Sequence, residues 1–497
     1  MKNRKKFIVA IDQGTTSSRA ILFNNQGKSL FKSQLEIKQY FPKSGWVEQN
    51  PNEIWNKTKK ALIEVIKKSK KLNGEILTIG ITNQRETTVL WDKKTAKPIY
   101  NAIVWQDRRT ADFCKKYSLN KNREKIIRKK TGLVIDPYFS ATKIKWIIEN
   151  IKKAKILLKQ KRLLFGTVDT FLLWKLSKDN IHATDSTNAS RTMLYNINTN
   201  KWDTKILKSF NIPSNILPII KNSSDDYGLT NKSITKKEYP ITGVVGDQQA
   251  ATIGQACFQK GSIKSTYGTG AFILMNTGGK KIYSKNRLLT TVCYRINNKS
   301  TFALEGSIFV AGSGVQWLRD KMKLIETAEE TEKIIKSLKS NSGVYLVPAF
   351  VGLGAPYWNS EARGVLSGLT RDTGPKEIIR AIIESTAYQS YDLFKAMKDD
   401  GLKPKIIKVD GGMVKNNWFT QFLSDVVNIK VDRAKVEDST ALGAAYMAGL
   451  YIGAYKSLNQ ISKKWKADRK FIPKMKKNLR ANLIKGWKST VRRTLIK

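Results

Sequence analysis

Phe7-Ile8-Val9-Ala10-Ile11-Asp12-Gln13-Gly14-Thr15-Thr16-Ser17-Ser18-Arg19-Ala20-Ile21-Leu22-Phe23-Asn24 reads as a strand, a tight glycine-containing turn and a second strand, because turn residues separate two apolar runs of strand length. The same grammar returns about half a chain later, in Ser265-Thr266-Tyr267-Gly268-Thr269-Gly270-Ala271-Phe272-Ile273-Leu274-Met275-Asn276. The recurrence predicts two similar halves facing one another. Between the turns, strand-like segments (Leu77–Ile81, Val89–Trp91) alternate with helical ones (Asn52–Lys71, Thr142–Lys161), and the second half continues the style through Gly343–Val351, Pro375–Met397, Ile406–Val409 and Asn416–Val427. Such alternation predicts an α/β fold of mixed sheets flanked by helices. We place the boundary near Gly254, giving domains 1–253 and 254–497. No low-complexity linker marks it, so the halves are expected to share an interface and a hinge.

The 497 residues, 41% hydrophobic and 26% charged, suffice for two or three domains and exclude a disordered chain. Lys and Arg number 90 against 40 Asp and Glu, a formal charge of +50. Nucleic acid is an obvious partner for such a charge. The lysines are nevertheless dispersed: Lys59, Lys60, Lys67, Lys68, Lys70 and Lys71 flank the apolar set Ala61, Leu62, Val65 and Ile66, as on the outer face of a helix. The basic stretch from Lys463 to Lys497 is the exception. Its Leu479, Leu483, Ile484 and Trp487 recur at helical spacing, which favours packing of Trp465 and Trp487 over stacking on bases. No specific nucleic acid is expected.

Cys114, Cys257 and Cys293 form no CxxC pair and His182 is the only imidazole, so a structural zinc site, a Ser-His-Asp triad and a Cys-His dyad are excluded. No apolar run is long enough to span a membrane. A reducing cytoplasm is expected, with the cysteines as small buried hydrophobes.

Familiar phosphate loops fail on inspection. Gly27-Lys28-Ser29 lacks the glycine five residues earlier, where Leu22 stands, and Gly268-x-Gly270 and Gly352-x-Gly354 lack the third glycine of a dinucleotide loop. Asp12-Gln13-Gly14-Thr15-Thr16 offers another device: an acid that holds hydrated Mg²⁺, and a turn that presents N–H groups and hydroxyls to phosphate. A surface hairpin is its plain alternative. Val409-Asp410-Gly411-Gly412-Met413 puts bare backbone before a helix, fit for a flat or anionic ligand or merely for a strand-to-helix connection. Arg85 and Glu86, in Asn83-Gln84-Arg85-Glu86-Thr87-Thr88, can bracket vicinal hydroxyls or form an exposed ion pair. Asp247, in Gly246-Asp247-Gln248-Gln249-Ala250, can be a base for an alcohol or a helix cap.

Together these motifs, in this order, resemble the FGGY carbohydrate kinases on the actin-like (ribonuclease H-like) ATPase fold, and within them the branch that phosphorylates glycerol. The likeness covers almost the whole chain and includes Gly45–Glu48, Trp105–Thr110, Pro137–Lys143, Phe165–Thr170, Gly352–Trp358 and Glu384–Gln389. It implies that Arg85, Glu86, Tyr138, Asp247 and Gln248 hold glycerol, with Phe272 against its carbon face. It assigns ATP contacts to Thr15, Thr16, Ser17, Arg19, Thr269, Gly312, Gln316, Gly412 and Asn416, and the Mg²⁺-organising role to Asp12. Asp247 is implied as general base in transfer from ATP to glycerol, the two substrates approaching from opposite halves of a closing cleft.

The expected assembly is a homo-oligomer, dimer or tetramer. The stretch Asn231–Tyr239 lacks the glycines of the fructose 1,6-bisphosphate loop of inhibited relatives, and the histidine of relatives phosphorylated there. Neither control is expected. The rival readings are a sibling sugar or polyol kinase such as one acting on xylulose, an actin-like ATPase without a polyol pocket, and a nucleic-acid-binding protein.

Overall fold

Two sheets built to one plan organise the computed structural model, which describes residues 4–359 and 361–496. In the first sheet β1 (Lys5–Gln13), β2 (Ser17–Asn24), β3 (Ser29–Glu36), β4 (Gly74–Asn83) and β5 (Ile241–Gly246) lie in the order β5-β4-β1-β2-β3. The second contains β6 (Ser262–Tyr267), β7 (Ala271–Gly278), β8 (Leu289–Ile296), β9 (Lys299–Ile308), β10 (Ile406–Asp410), β11 (Lys430–Ala434) and β12 (Ala467–Phe471), in the order β8-β9-β7-β6-β10-β11-β12.

Each sheet starts from an antiparallel hairpin, β1–β2 or β6–β7, continued antiparallel by β3 or β9. On its other side the leading strand takes two parallel neighbours in succession, β4 and β5 or β10 and β11. The repeat expected from the two Gly-Thr turns is therefore a repeat of topology, with β8 and β12 added at the edges of the second sheet. Phe7 to Gln13 are buried without alternation, as in a strand covered on both faces.

Helix α1 (Pro51–Lys71) shows how local sequence sets an element. Asn50 accepts the N–H of Asn52 as N-cap, Pro51 occupies the first turn, and Lys68, Lys70 and Lys71 meet the C-terminal end of the dipole. Ile54, Ala61, Leu62, Val65 and Ile66 form its buried stripe. Thr142–Lys161, by contrast, is not one helix. It is Ser140–Asn150 followed by Lys152–Lys159, separated by Ile151 in extended backbone (φ −103°, ψ 109°). The break lets Ile147 on one side and Ala154 and Leu157 on the other enter a single core.

Five further helices matter to the cleft: α2 (Asp247–Gly254), α3 (Gly312–Asp320), α4 (Pro375–Asp399), α5 (Asn417–Val427) and α6 (Ser439–Tyr451). Helix α6, from the second half, lies on the first sheet and against α2. Contact is at backbone distance. A Cβ on Gly443 would stand 1.8 Å from the carbonyl oxygen of Ala250, one on Gly254 1.9 Å from that of Ser439, and one on Gly80 2.4 Å from that of Ala444. Gly443→Ala is therefore expected to push α2 away, because the obstacle is backbone rather than a movable side chain. Overpacking of this kind costs about 1–3 kcal/mol, and a shift of about 1 Å in a reacting group costs roughly 10²-fold in rate. Thermal denaturation and kcat, measured on the same preparation, check both effects. An unchanged kcat would mean that the start of α2 holds its place.

The basic C-terminal segment, described to residue 496, supplies β12 and then α7 (Lys477–Leu495). Trp487 is buried, stacks on Tyr388 at 5.3 Å and donates its indole N–H to Asp392 at 2.7 Å. Burial pushes the Asp392 carboxyl up to about 6. Trp465 donates to Gln255 at 2.9 Å and carries Lys408 over its ring. Leu479, expected on the apolar stripe, remains 53% exposed because that stripe begins only at Leu483. The three cysteines are free and buried. His182 bonds the Phe165 carbonyl and lies edge-on to Trp91 and Trp174, a packing role. No helix among the described residues is long and apolar enough to cross a membrane.

Candidate active site

The two Gly-Thr turns are hairpin connections at corresponding ends of the two sheets. In the first, Gly14 N–H donates to Ser17 carbonyl at 2.9 Å. Asp12 and Arg19 are cross-strand partners in the β1–β2 register, and their charges meet at 2.5 Å. Arg19 also lies 3.5 Å from Asp438, beside the N-terminus of α6, and Lys32 lies 3.3 Å from it. Burial raises the Asp12 carboxyl above its usual range although Arg19 opposes the shift. Thr15 accepts the indole N–H of Trp105 at 2.9 Å, while Thr16 is exposed and Ser17 half-buried.

In the second turn Gly268 N–H donates to Gly270 carbonyl, and Thr269 is exposed. The carbonyl of Gly268 accepts from Gly312 N–H, and that of Thr269 accepts from Ala311 and Ser313, which seats the start of α3 on the turn. A Cβ on Gly312 would stand 2.6 Å from the Gly268 carbonyl oxygen. Gln316 follows one helical turn later, exposed.

Nearby, Gly411 has φ 98° and no room for a Cβ, 2.3 Å from the Tyr267 carbonyl oxygen, whereas Gly412 has open space around it. Asn416 is engaged as the N-cap of α5: its side-chain Oδ1 accepts Phe419 N–H at 2.9 Å and its side-chain Nδ2 donates to Thr331.

Among the described residues no group of three or more His, Cys, Asp or Glu could hold a metal ion. Asp12 and Asp247 are close enough for the negative charge of Asp12 to raise the Asp247 carboxyl. One or two carboxylates with water and substrate phosphates are the usual surroundings of Mg²⁺, so these residues fit that ion and not an all-protein cage.

The polar pocket is assembled around Arg85, which follows β4. Its Nη1 lies 2.6 Å from Glu305 Oε2 and 3.2 Å from Gln249 Oε1, its Nη2 3.2 Å from Glu305 Oε1, and its Nε 3.2 Å from Asp247. Tyr138 OH approaches Nη2 at 3.4 Å. Glu86 is bound through Arg191, Nε to Oε1 2.6 Å, and has a left-handed backbone with φ 61°. Asp247 opens α2 with Gly246 as N-cap, so the aspartate stands in the first turn rather than capping the helix. Its side chain is 26% exposed, unlike the nearly closed Arg85, Glu86, Arg191 and Glu305. Desolvation raises the Asp247 carboxyl, opposed by Arg85 and Lys264. Lys264, on β6, donates to the Gln248 side chain, and burial lowers its ammonium to about 8. Trp105 meets Tyr138 at 5.6 Å and Phe272 at 5.9 Å, giving the pocket an aromatic wall.

Arg85, Glu86, Tyr138, Asp247 and Gln248 thus share one cluster, and Phe272 joins it through Trp105. Glu305, Arg191, Lys264 and Gln249 were not read as site residues, and Trp105 carried no role. A signal existed for two of them. Glu305 follows Phe302-Ala303-Leu304 and Lys264 follows Ile263, in strands where a charge is tolerated only with a partner.

A doubled α/β sheet with paired Gly-Thr turns and a polar pocket lined by aromatics defines a two-lobed kinase of the actin-like ATPase fold. The comparisons agree. Residues 7–254 match the FGGY family of carbohydrate kinases, N-terminal domain, and residues 263–451 the C-terminal domain of the same family. Glycerol kinase of Alteromonas mediterranea is 52% identical over 486 residues, covering 98% of each chain, and glycerol kinase of Petrotoga mobilis 52% over 490 residues with the same coverage. The crystal structure of Plasmodium falciparum glycerol kinase with ADP superposes with a TM-score of 0.94 at 40% identity over 99% of each chain. Gluconate kinase from Lactobacillus acidophilus, at 22% identity and a TM-score of 0.87, shares the fold. The chain belongs to the FGGY family of carbohydrate kinases.

Proposed function

We propose that the chain is a glycerol kinase, transferring the γ-phosphoryl group of ATP to glycerol to give sn-glycerol 3-phosphate and ADP. One observation carries the reading. The Asp247 carboxylate and the Arg85 guanidinium, 3.2 Å apart, share a pocket with an aromatic wall, and that wall is hydrogen-bonded to the Gly-Thr turn through Trp105 and Thr15. The names and lengths of the similar proteins support the same substrate pair.

In this reading Arg85, Glu86, Tyr138 and Gln248 hold the hydroxyls of glycerol and Phe272 packs against its carbons. Asp247 accepts the proton of the terminal hydroxyl as the oxygen attacks phosphorus in line. Its raised carboxyl makes it a better base than a free aspartate, at the cost of losing the ionised form sooner as pH falls. Thr15, Thr16, Ser17, Arg19, Thr269, Gly312, Gln316, Gly412 and the backbone at Asn416 position the nucleotide, since phosphoryl transfer depends mainly on placement and charge stabilisation. Asp12 would hold Mg²⁺ through water, and the ion would neutralise phosphate charge. Residues 1–253 would carry the glycerol site and the first turn, residues 254–497 the adenine nucleotide. Closure would keep water from acting as acceptor. A cytoplasmic homo-oligomer belongs to the same reading.

Purified protein in a coupled assay should release ADP only when glycerol is present. ADP release without glycerol would favour an ATPase, and faster turnover of xylulose or gluconate than of glycerol would favour a sibling kinase.

A further inference from the structure

We propose that Glu305 is a positioning residue for substrate recognition: it holds Arg85 in the orientation that faces the polyol and, through Arg191, holds Glu86 opposite. The inference rests on the glycerol reading and adds to it a residue from the second sheet.

Four buried side chains form one chain of contacts, each no more than 2% exposed. Glu305 receives both terminal nitrogens of Arg85, at 2.6 and 3.2 Å, in the fork geometry that fixes a guanidinium in plane as well as in place. Its Oε1 also accepts from Arg191 Nη2 at 2.9 Å, and Arg191 Nε donates to Glu86 at 2.6 Å. Arg85 and Glu86 themselves approach only to 3.9 Å between Nε and Oε1. The two adjacent residues are therefore held apart, each by a partner from elsewhere in the chain. Glu86 needs such a hold because its backbone is left-handed without being glycine; Ser140 and Thr88 hydroxyls both donate to its carbonyl.

The test uses the full chain with Glu305→Gln and Glu305→Asp, each assayed with glycerol and ATP varied separately. For Glu305→Gln we expect KM for glycerol to rise at least tenfold and KM for ATP to stay within twofold. Glu305→Asp restores the charge but is one methylene shorter, so its KM for glycerol should recover only in part and stay at least threefold high. Equal changes in both KM values, or lowered thermal stability with both KM values unmoved, would reduce Glu305 to a scaffold residue. Should Glu305→Gln not fold, Glu305→Asp decides alone, and an unaltered KM for glycerol overturns the proposal. Lack of glycerol turnover in the unaltered chain would count against the functional reading. Turnover there, with both variants unaffected, counts against Glu305 only.

Discussion

Asp247→Asn is expected to abolish phosphoryl transfer while glycerol binding survives. The amide is isosteric, and its oxygen can keep the contact that the carboxylate accepts from Gln248 N–H at 2.7 Å. It cannot take a proton. A general base contributes roughly 10²- to 10⁴-fold, and kcat should fall within that range. The pH profile supplies an independent check. Because burial raises the Asp247 carboxyl, the unaltered enzyme should lose activity as pH falls through a value above the ordinary aspartate range. The residual activity of Asp247→Asn should lack that limb. Calorimetric titration with glycerol separates binding from chemistry. A loss in kcat of less than tenfold would remove Asp247 from the role of base.

Arg85→Ala should affect both recognition and stability. Loss of a charge-assisted contact to the substrate costs about 1.5–3 kcal/mol, which is roughly 10- to 150-fold in KM for glycerol. The same substitution strips Glu305 of its fork, leaving it only Arg191, and strips Asp247 of its nearest cation. Breaking a buried ion pair from one side destabilises a fold by about 3–5 kcal/mol, because the remaining charge is uncompensated. A lowered denaturation midpoint together with a raised KM for glycerol, and little change in KM for ATP, is the expected pattern. Equal increases in the two KM values would place Arg85 in the scaffold.

Much of the architecture was legible because its signals are local. Turn residues between apolar runs located β1–β2 and β6–β7, and the spacing of Ala61, Leu62, Val65 and Ile66 located α1. The ambiguity of single motifs was real, however. Asn83–Thr88 could have been an exposed turn, and only the structure shows Arg85 and Glu86 closed off from solvent. Thr142–Lys161 had a helical pattern throughout, and its break at Ile151 follows from where the surrounding core lies, not from a proline or glycine.

The sequence alone determined the strand-turn-strand units, their recurrence, the helices between them and the candidate residues within each motif, because periodicity, capping and turn chemistry act over a few residues. Tertiary structure alone decided which of those residues meet. Arg85 and Glu305 are 220 positions apart, and their contact requires β4 and β9, in different sheets, to end at the same pocket. Gly443 lies against Ala250 because α6 crosses from the second half onto the first, a placement permitted by small residues on both surfaces but encoded in neither segment separately. The Asn416 amide met Thr331, and Lys264 became a partner of Gln248, for the same reason. Buried polar groups must find partners wherever the chain brings them, and sheet order and helix crossing determine where that is.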